Sequence, residues 1–154
     1  MDIHTLANRA HKICKKYAFS YSARDYLFHK RHDLRCMCCV ASFFFDALVE
    51  QKMPHCKRKV ICAYDHWWGR HVFNLIDDSI IVDITAAQFD QLKFLRGPYL
   101  GAKDSTTKVL NTYYGTKMGF RTIKSIQDTA FPEDHGSIED VSFLLEDYRT
   151  RYKT

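Results

Sequence analysis

Three side chains between positions 38 and 83 have the types and order of a thiol nucleophile, its base and a carboxylate. Cys38 precedes an apolar stretch with helical periodicity, His71 begins an apolar strand-like run, and Asp83 lies inside the next such run. A cysteine attacks as the thiolate, and a free thiol is mostly protonated at neutral pH, so it needs a neighbouring base. A carboxylate that orients the imidazole completes such a set. These residues therefore predict cysteine-dependent acyl-transfer chemistry.

Cys38 is the best candidate among three cysteines at the start of the apolar stretch, the others being Cys36 and Cys39. Only Cys38 heads a helical stripe that can pack on a sheet, because the same offsets counted from either neighbour reach acidic residues. The stripe continues at Ala41, Ser42, Phe45, Leu48 and Val49. A helix N-terminus favours the thiolate, and its free backbone N–H is a donor for an oxyanion. The alternative is that Cys38 is only a small buried apolar residue.

The sequence also predicts how His71 and Asp83 meet. Asp77–Asp78 is typical of a tight turn, with strands over 71–76 and 79–85 on either side. A carboxylate inside an apolar strand is unfavourable unless it is paired. Because the turn brings Asp83 beside the start of the preceding strand, we expect it to hydrogen-bond His71.

The elements around these residues predict an α+β fold in a single domain over 1–154. Apolar periodicity indicates an N-terminal helix over 3–17 and a C-terminal helix over about 137–150, which a capping-box pattern at Ser137 begins. The catalytic core is predicted over about 34–126, with mostly antiparallel strands. We further predict a helix from Cys38 to Pro54, strands at 59–64, 109–114 and 119–126, and loops at 18–33 and 96–108.

Composition limits the classes of partner that the protein is expected to bind and the cellular compartment in which it is expected. The net charge of +5 is scattered along the chain, and no phosphate-binding loop or nucleic-acid motif accompanies it, so we do not expect a nucleic-acid partner. The longest apolar run, 36–45, is too short to span a membrane, and the N-terminus lacks the apolar core of a signal peptide. We therefore expect a cytoplasmic protein whose six cysteines are free thiols.

The sequence around the three residues resembles the transglutaminase-like branch of the papain-like cysteine enzymes, above all small stand-alone bacterial and phage proteins. The similarity lies in Cys-Cys-Val-Ala-Ser at 38–42, His-Val-Phe at 71–73 and Asp-Ile-Thr-Ala-Ala-Gln-Phe at 83–89. It covers residues 34–89. The chain departs from the pattern at Cys36, where such proteins usually have a small residue.

The resemblance implies a papain-like fold in which the nucleophile helix packs on an antiparallel sheet. It implies Cys38 as nucleophile, His71 as general base and acid, and Asp83 as the group that orients His71. The expected activity is that of a cysteine hydrolase, a peptidase or amidase, on a protein or peptide, with no cofactor. A glutamine deamidase or a transglutaminase with the same triad is the alternative. A phage or bacterial effector that acts on a host protein would fit this description.

Several neighbouring residues are candidates for supporting roles. Thr85 is expected to hydrogen-bond Asp83, and Gln88 either donates to an oxyanion or holds a turn. His32 is a further candidate for an oxyanion donor. Trp67 and Trp68 precede the histidine and either line a substrate groove or pack in the core.

A non-catalytic or zinc-binding interaction module is the competing interpretation. Its ligands would come from Cys36, Cys38, Cys39, His55, Cys56 and Cys62. Their spacing lacks the paired two-residue intervals of ordinary zinc ribbons and fingers. This interpretation also gives Asp83 no role, so we predict no metal site.

Overall fold

The fold is known from a computed structural model, which describes residues 1–19, 37–64, 71–88, 92, 95–103, 119–129 and 136–153. These residues form an α+β fold, as predicted, with three α-helices and a five-stranded antiparallel sheet. The helices are α1 (Ile3–Phe19), α2 (Cys38–Lys52) and α3 (Ile138–Arg151). The strands are β1 (Arg58–Tyr64), β2 (His71–Ile76), β3 (Ile80–Asp83), β4 (Tyr99–Ala102) and β5 (Gly119–Ile123).

Helix α2 is the centre of the helical layer. It packs on β1 and β2 on one side and against α1 and α3 on the other. Its first eight residues are therefore buried almost all round, and Cys39, Val40 and Phe44 are as inaccessible as the stripe that Cys38 heads. A helix that is apolar on all sides belongs in the interior. Cys38 consequently opens a helix whose position is fixed from two directions.

The two outer helices are joined at the start of α3. Ser137 accepts a hydrogen bond from the backbone of Asp140, and the Asp140 carboxylate accepts one from the Ser137 backbone at 2.8 Å. This capping box confirms the predicted start of the helix. The hydroxyl of Tyr17 donates to the same carboxylate, which ties the end of α1 to the beginning of α3.

The sheet has the strand order β4-β3-β2-β1-β5. The predicted Asp77–Asp78 turn joins β2 to β3, and both aspartates adopt left-handed backbone angles, as a tight hairpin requires. Opposite residues in this hairpin are Asn74 and Val82, then Leu75 and Ile81. Because side chains alternate between the two faces, Asp83 falls on the same face as His71.

Most predicted element boundaries agree with the structure within two residues, and one prediction is wrong. Residues 99–102 were predicted to be loop but form β4, which pairs with β3 at the edge of the sheet. Gly97, Pro98 and Gly101 suggested a loop, and an edge strand tolerates such residues because only one side of it is paired.

The strands β3 and β5 are shorter than predicted, and α1 is two residues longer than predicted. β3 ends at Asp83, because the chain then turns and the Thr85 backbone donates to that side chain. β5 ends at Ile123, before a short 3₁₀ helix over Ile126–Asp128. The predicted strand at 109–114, and the predicted loop at 18–33 beyond α1, lie outside the described residues. Among the described helices, none has the length and apolar character that crossing a membrane needs.

Candidate active site

The site lies at the end of the sheet where β2 begins and β3 ends. His71 and Asp83 occupy these two strand ends, and both are buried, with exposures of 1% and 3%. Nε2 of His71 lies 2.6 Å from Oδ2 of Asp83. Since a carboxylate accepts, Nε2 carries the proton and donates it to Asp83. The imidazole is thereby oriented with Nδ1 left for exchange with a third group.

Backbone and hydroxyl donors satisfy the second oxygen of Asp83. The backbone N–H and the hydroxyl of Thr85 donate to Oδ1 at 2.9 and 3.2 Å. Thr85 thus occupies the position beside Asp83 that the sequence suggested. A buried carboxylate with three donors is well stabilised as an anion, and anionic Asp83 can stabilise a charged imidazole.

Cys38 stands at the first position of α2, facing His71. The backbone N–H of Ala41 already bonds the carbonyl of Met37, so the N–H of Cys38 belongs to the helix-terminal groups that have no partner inside the helix. The Cys38 thiol lies close enough to His71 to help raise the pKa of the imidazole. A thiol, an imidazole and a helix-terminal backbone N–H are therefore brought together at one helix end.

The electrostatics of the site favour a charged imidazole. Burial alone would lower the pKa of His71, but the Asp83 carboxylate, with a smaller contribution from Cys38, raises that pKa to about 10. The neighbouring Cys39 is in the opposite situation. Burial, together with the nearby Cys38 and Cys62 thiols, raises the pKa of Cys39. Of the two adjacent thiols, Cys38 is the one that acts on the pKa of His71 in the described structure.

Two buried polar side chains hold α2 against β2 near the site. The hydroxyl of Ser42, one turn after Cys38, donates to the carbonyl of Val72 at 3.0 Å. The amide of Asn74 donates back to the carbonyl of Ser42, also at 3.0 Å. Because Val72 follows His71 directly, this pair of bonds holds the start of α2 beside His71.

A second buried histidine supports the other end of the site. Nδ1 of His11, on α1, donates to the carbonyl of Ile84 at 2.9 Å, and Ile84 follows Asp83 directly. Burial lowers the pKa of His11, against smaller opposing effects of the Ile84 carbonyl and Asp83. His11 therefore anchors the chain just after the carboxylate.

The structure brings together five of the predicted site residues. Cys38, His71 and Asp83 form a continuous chain of contacts, and Thr85 and Gln88 join it. The remaining candidates, His32, Trp67 and Trp68, lie outside the described residues.

Sequence reasoning assigned no role to Ser42, Asn74 or His11. The sequence feature that could have identified them is a polar side chain at a position where the apolar pattern predicts a core residue. Ser42 shares the helical stripe of Cys38, and Asn74 interrupts an apolar strand. Buried polar groups need hydrogen-bond partners, and the donors of these residues find theirs on other elements, whereas Oδ1 of Asn74 has no partner among the described residues.

Among the described residues, no three His, Cys, Asp or Glu side chains are close enough together to hold a metal ion. Five of the six candidate zinc ligands are among these residues, and Cys36 lies outside them. No match to the chain was found among protein-family models, curated proteins or solved structures.

Proposed function

We propose that this protein is a cysteine hydrolase that cleaves a peptide or side-chain amide of a protein substrate. The observation that carries the proposal is the buried 2.6 Å contact between Asp83 and His71, which leaves Nδ1 of the imidazole available to Cys38 at a helix N-terminus. A nucleophile helix packed on an antiparallel sheet also supports a papain-like core.

The first half of the proposed reaction forms a thioacyl intermediate. The proton of Cys38 already lies on His71 as an imidazolium, and the thiolate attacks the carbonyl carbon of the substrate amide. The backbone N–H of Cys38 donates to the oxyanion, and the positive end of the α2 dipole stabilises its charge. The C–N bond then breaks, and the imidazolium gives its proton to the departing amine. Asp83 keeps Nε2 protonated throughout.

The second half releases the product. His71, again neutral, takes a proton from water, whose oxygen attacks the thioacyl carbon. The C–S bond breaks and Cys38 leaves as the thiolate, which restores its pair with the His71 imidazolium. A glutamine side chain as substrate makes the same steps a deamidation, and an amine in place of water makes them a cross-linking reaction. Water access to the intermediate decides between these acceptors.

The proposal is tested first by the reactivity of each cysteine. Iodoacetamide labelling, read by peptide mass spectrometry between pH 5 and 9, is expected to modify Cys38 rapidly below pH 7. Cys38→Ala should abolish this labelling, and Asp83→Asn should slow it, because an amide in place of the carboxylate no longer holds the imidazole tautomer. Cys39→Ala is the matched control, since it removes the adjacent buried thiol and should leave Cys38 labelling unchanged. Equal rates for Cys38 and the other cysteines would overturn the proposal.

The product then identifies the reaction. A protein mixture treated with the wild type is compared by mass spectrometry with one treated with Cys38→Ala. New chain termini indicate a peptidase, replacement of a glutamine amide by a hydroxyl indicates a deamidase, and linked peptides indicate a transglutaminase. A wild type that changes nothing in peptides or glutamine side chains contradicts the amide substrate.

A further inference from the structure

Gln88 contacts the same histidine nitrogen that must exchange a proton with Cys38. Gln88 ends the short 3₁₀ helix over Ala86–Gln88 and is partly buried. Its Nε2 lies 3.2 Å from Nδ1 of His71 and 3.0 Å from the hydroxyl oxygen of Thr85. The backbone N–H of Gln88 donates to the carbonyl of Thr85 at 2.9 Å, which fixes the segment.

The hydrogen-bond network determines which end of the amide faces the histidine. The Thr85 hydroxyl donates its only proton to Asp83, because an ionised carboxylate can only accept. The oxygen of Thr85 must then accept from Gln88, so the group that faces it is the amide NH₂. That group has two hydrogens, one for Thr85 and one for Nδ1 of His71. The four side chains form a closed ring of hydrogen bonds.

This arrangement acts on the two protonation states of His71 in opposite directions. In neutral His71, Nδ1 carries a lone pair that accepts from the Gln88 amide. After His71 takes the proton of Cys38, Nδ1 carries a hydrogen, and two donors then face each other. The described titratable groups that bear on His71 are Asp83 on β3 and Cys38 on α2, with His11 on α1 acting on Asp83. Asp83 and Cys38 both favour the charged form, and Gln88 opposes them.

A histidine that acts as both base and acid works better when the groups around it do not all favour its charged form. Proton transfer in both directions is most efficient when the proton affinity of the group lies near the operating pH. A buried carboxylate by itself holds the proton on His71 too tightly for rapid transfer to a departing amine. We propose that Gln88 is a positioning residue that offsets Asp83 and limits the proton affinity of His71. The inference rests on the proposed role of His71 as the base of Cys38.

The test replaces the donor while keeping the length of the side chain. In Gln88→Met, the imidazole signals of His71 in nitrogen-15 NMR should titrate about half to one pH unit higher than in the wild type, the effect of about one hydrogen bond. The acid limb of the Cys38 alkylation profile should stay in place, because it reports protonation of the thiolate beside an imidazolium in both proteins. Gln127→Met is the matched control, because Gln127 lies in the other short 3₁₀ helix and is exposed.

Gln88→Ala provides a second variant, which also removes the donor but opens the site to water. Both variants should shift in the same direction if the N–H bond is responsible. A His71 titration that stays in place, or moves to lower pH, overturns the inference. An unchanged His71 titration combined with slower turnover also overturns it and would mark Gln88 as an oxyanion donor. These outcomes leave Cys38 more reactive than Cys39. Failure of the proposed function would instead make the two thiols equally slow in the wild type.

Discussion

Two buried histidines of this protein have different hydrogen-bond partners, and their pKa values shift in opposite directions. His71 and His11 are exposed by only 1% and 6%. The partner of His71 is the carboxylate of Asp83, whereas the partner of His11 is the backbone carbonyl of Ile84, one residue further along the chain. A carboxylate brings a full charge to the ring, and a carbonyl brings only a dipole.

The difference shows what decides the charge of a buried histidine. Burial lowers the pKa of His11, and the carbonyl only partly opposes this effect. For His71 the charges of Asp83 and Cys38 outweigh burial and raise the pKa. Burial without a charged partner therefore yields a neutral structural histidine, and burial with one yields a charged group beside a thiol.

The largest expected contrast is in proton affinity. His71 should remain charged at neutral pH and lose its proton only as the pH rises through about 10. His11 should be neutral at pH 7 and gain a proton only as the pH falls below its ordinary value of 6.5. Nitrogen-15 NMR of the imidazole groups measures both, with His71→Gln and His11→Gln supplying the assignments. Titration of both rings near pH 6.5 would remove the contrast.

The same two substitutions should separate the histidines by cysteine reactivity. In His71→Gln, alkylation of Cys38 at pH 6 should slow by about 100-fold or more, since a thiol with an ordinary pKa of about 8.5 is only about 0.3% ionised there. In His11→Gln, the new amide can still donate to Ile84, so we expect a change below about threefold. Circular dichroism establishes that both variants are folded. Similar rates in the two variants would show that burial, not the charged partner, governs the site.

The smallest effect is expected where the contact between helix and strand is loosened. Ser42→Ala removes the bond to the Val72 carbonyl and should reduce stability by about 1 kcal/mol and Cys38 alkylation by about threefold. Ser142→Ala is the matched control, because Ser142 also donates to a carbonyl at 3.0 Å, but on an exposed helix surface. Urea unfolding and iodoacetamide labelling give the two quantities. If alkylation is unchanged while stability falls, Ser42 stabilises the fold without positioning Cys38.

Much of this site was predictable because local patterns set it. The turn at Asp77–Asp78 determines which face Asp83 occupies. Helical spacing selected Cys38 by its apolar stripe, but α2 is buried almost all round, so its closeness to His71 is what separates Cys38 from Cys39. β4 was missed because its pairing with β3, rather than its own composition, makes it a strand. Its cross-strand contact with Asp83 comes from Tyr99, at a position where the sequence suggested only loop.

The supporting contacts depend on parts of the chain that are far apart in sequence. His11 meets Ile84 across 73 positions, and Asn74 meets Ser42 across 32. No local pattern encodes such partners. The orientation of the Gln88 amide is also a property of the whole network, because it follows only from where the Thr85 hydroxyl donates.

The packing of α2 on the sheet affects the order in which the site forms during folding. His71 and Asp83 belong to one hairpin and lie 12 residues apart, so their contact can form as the hairpin forms. Cys38 reaches that pair only when α2 docks. A transient separation of the helix would take Cys38 away from its base and expose Cys39 to solvent, and local openings of this kind are common in native proteins. The ratio of Cys39 to Cys38 labelling rates therefore reports the fraction of molecules in which α2 has separated from the sheet.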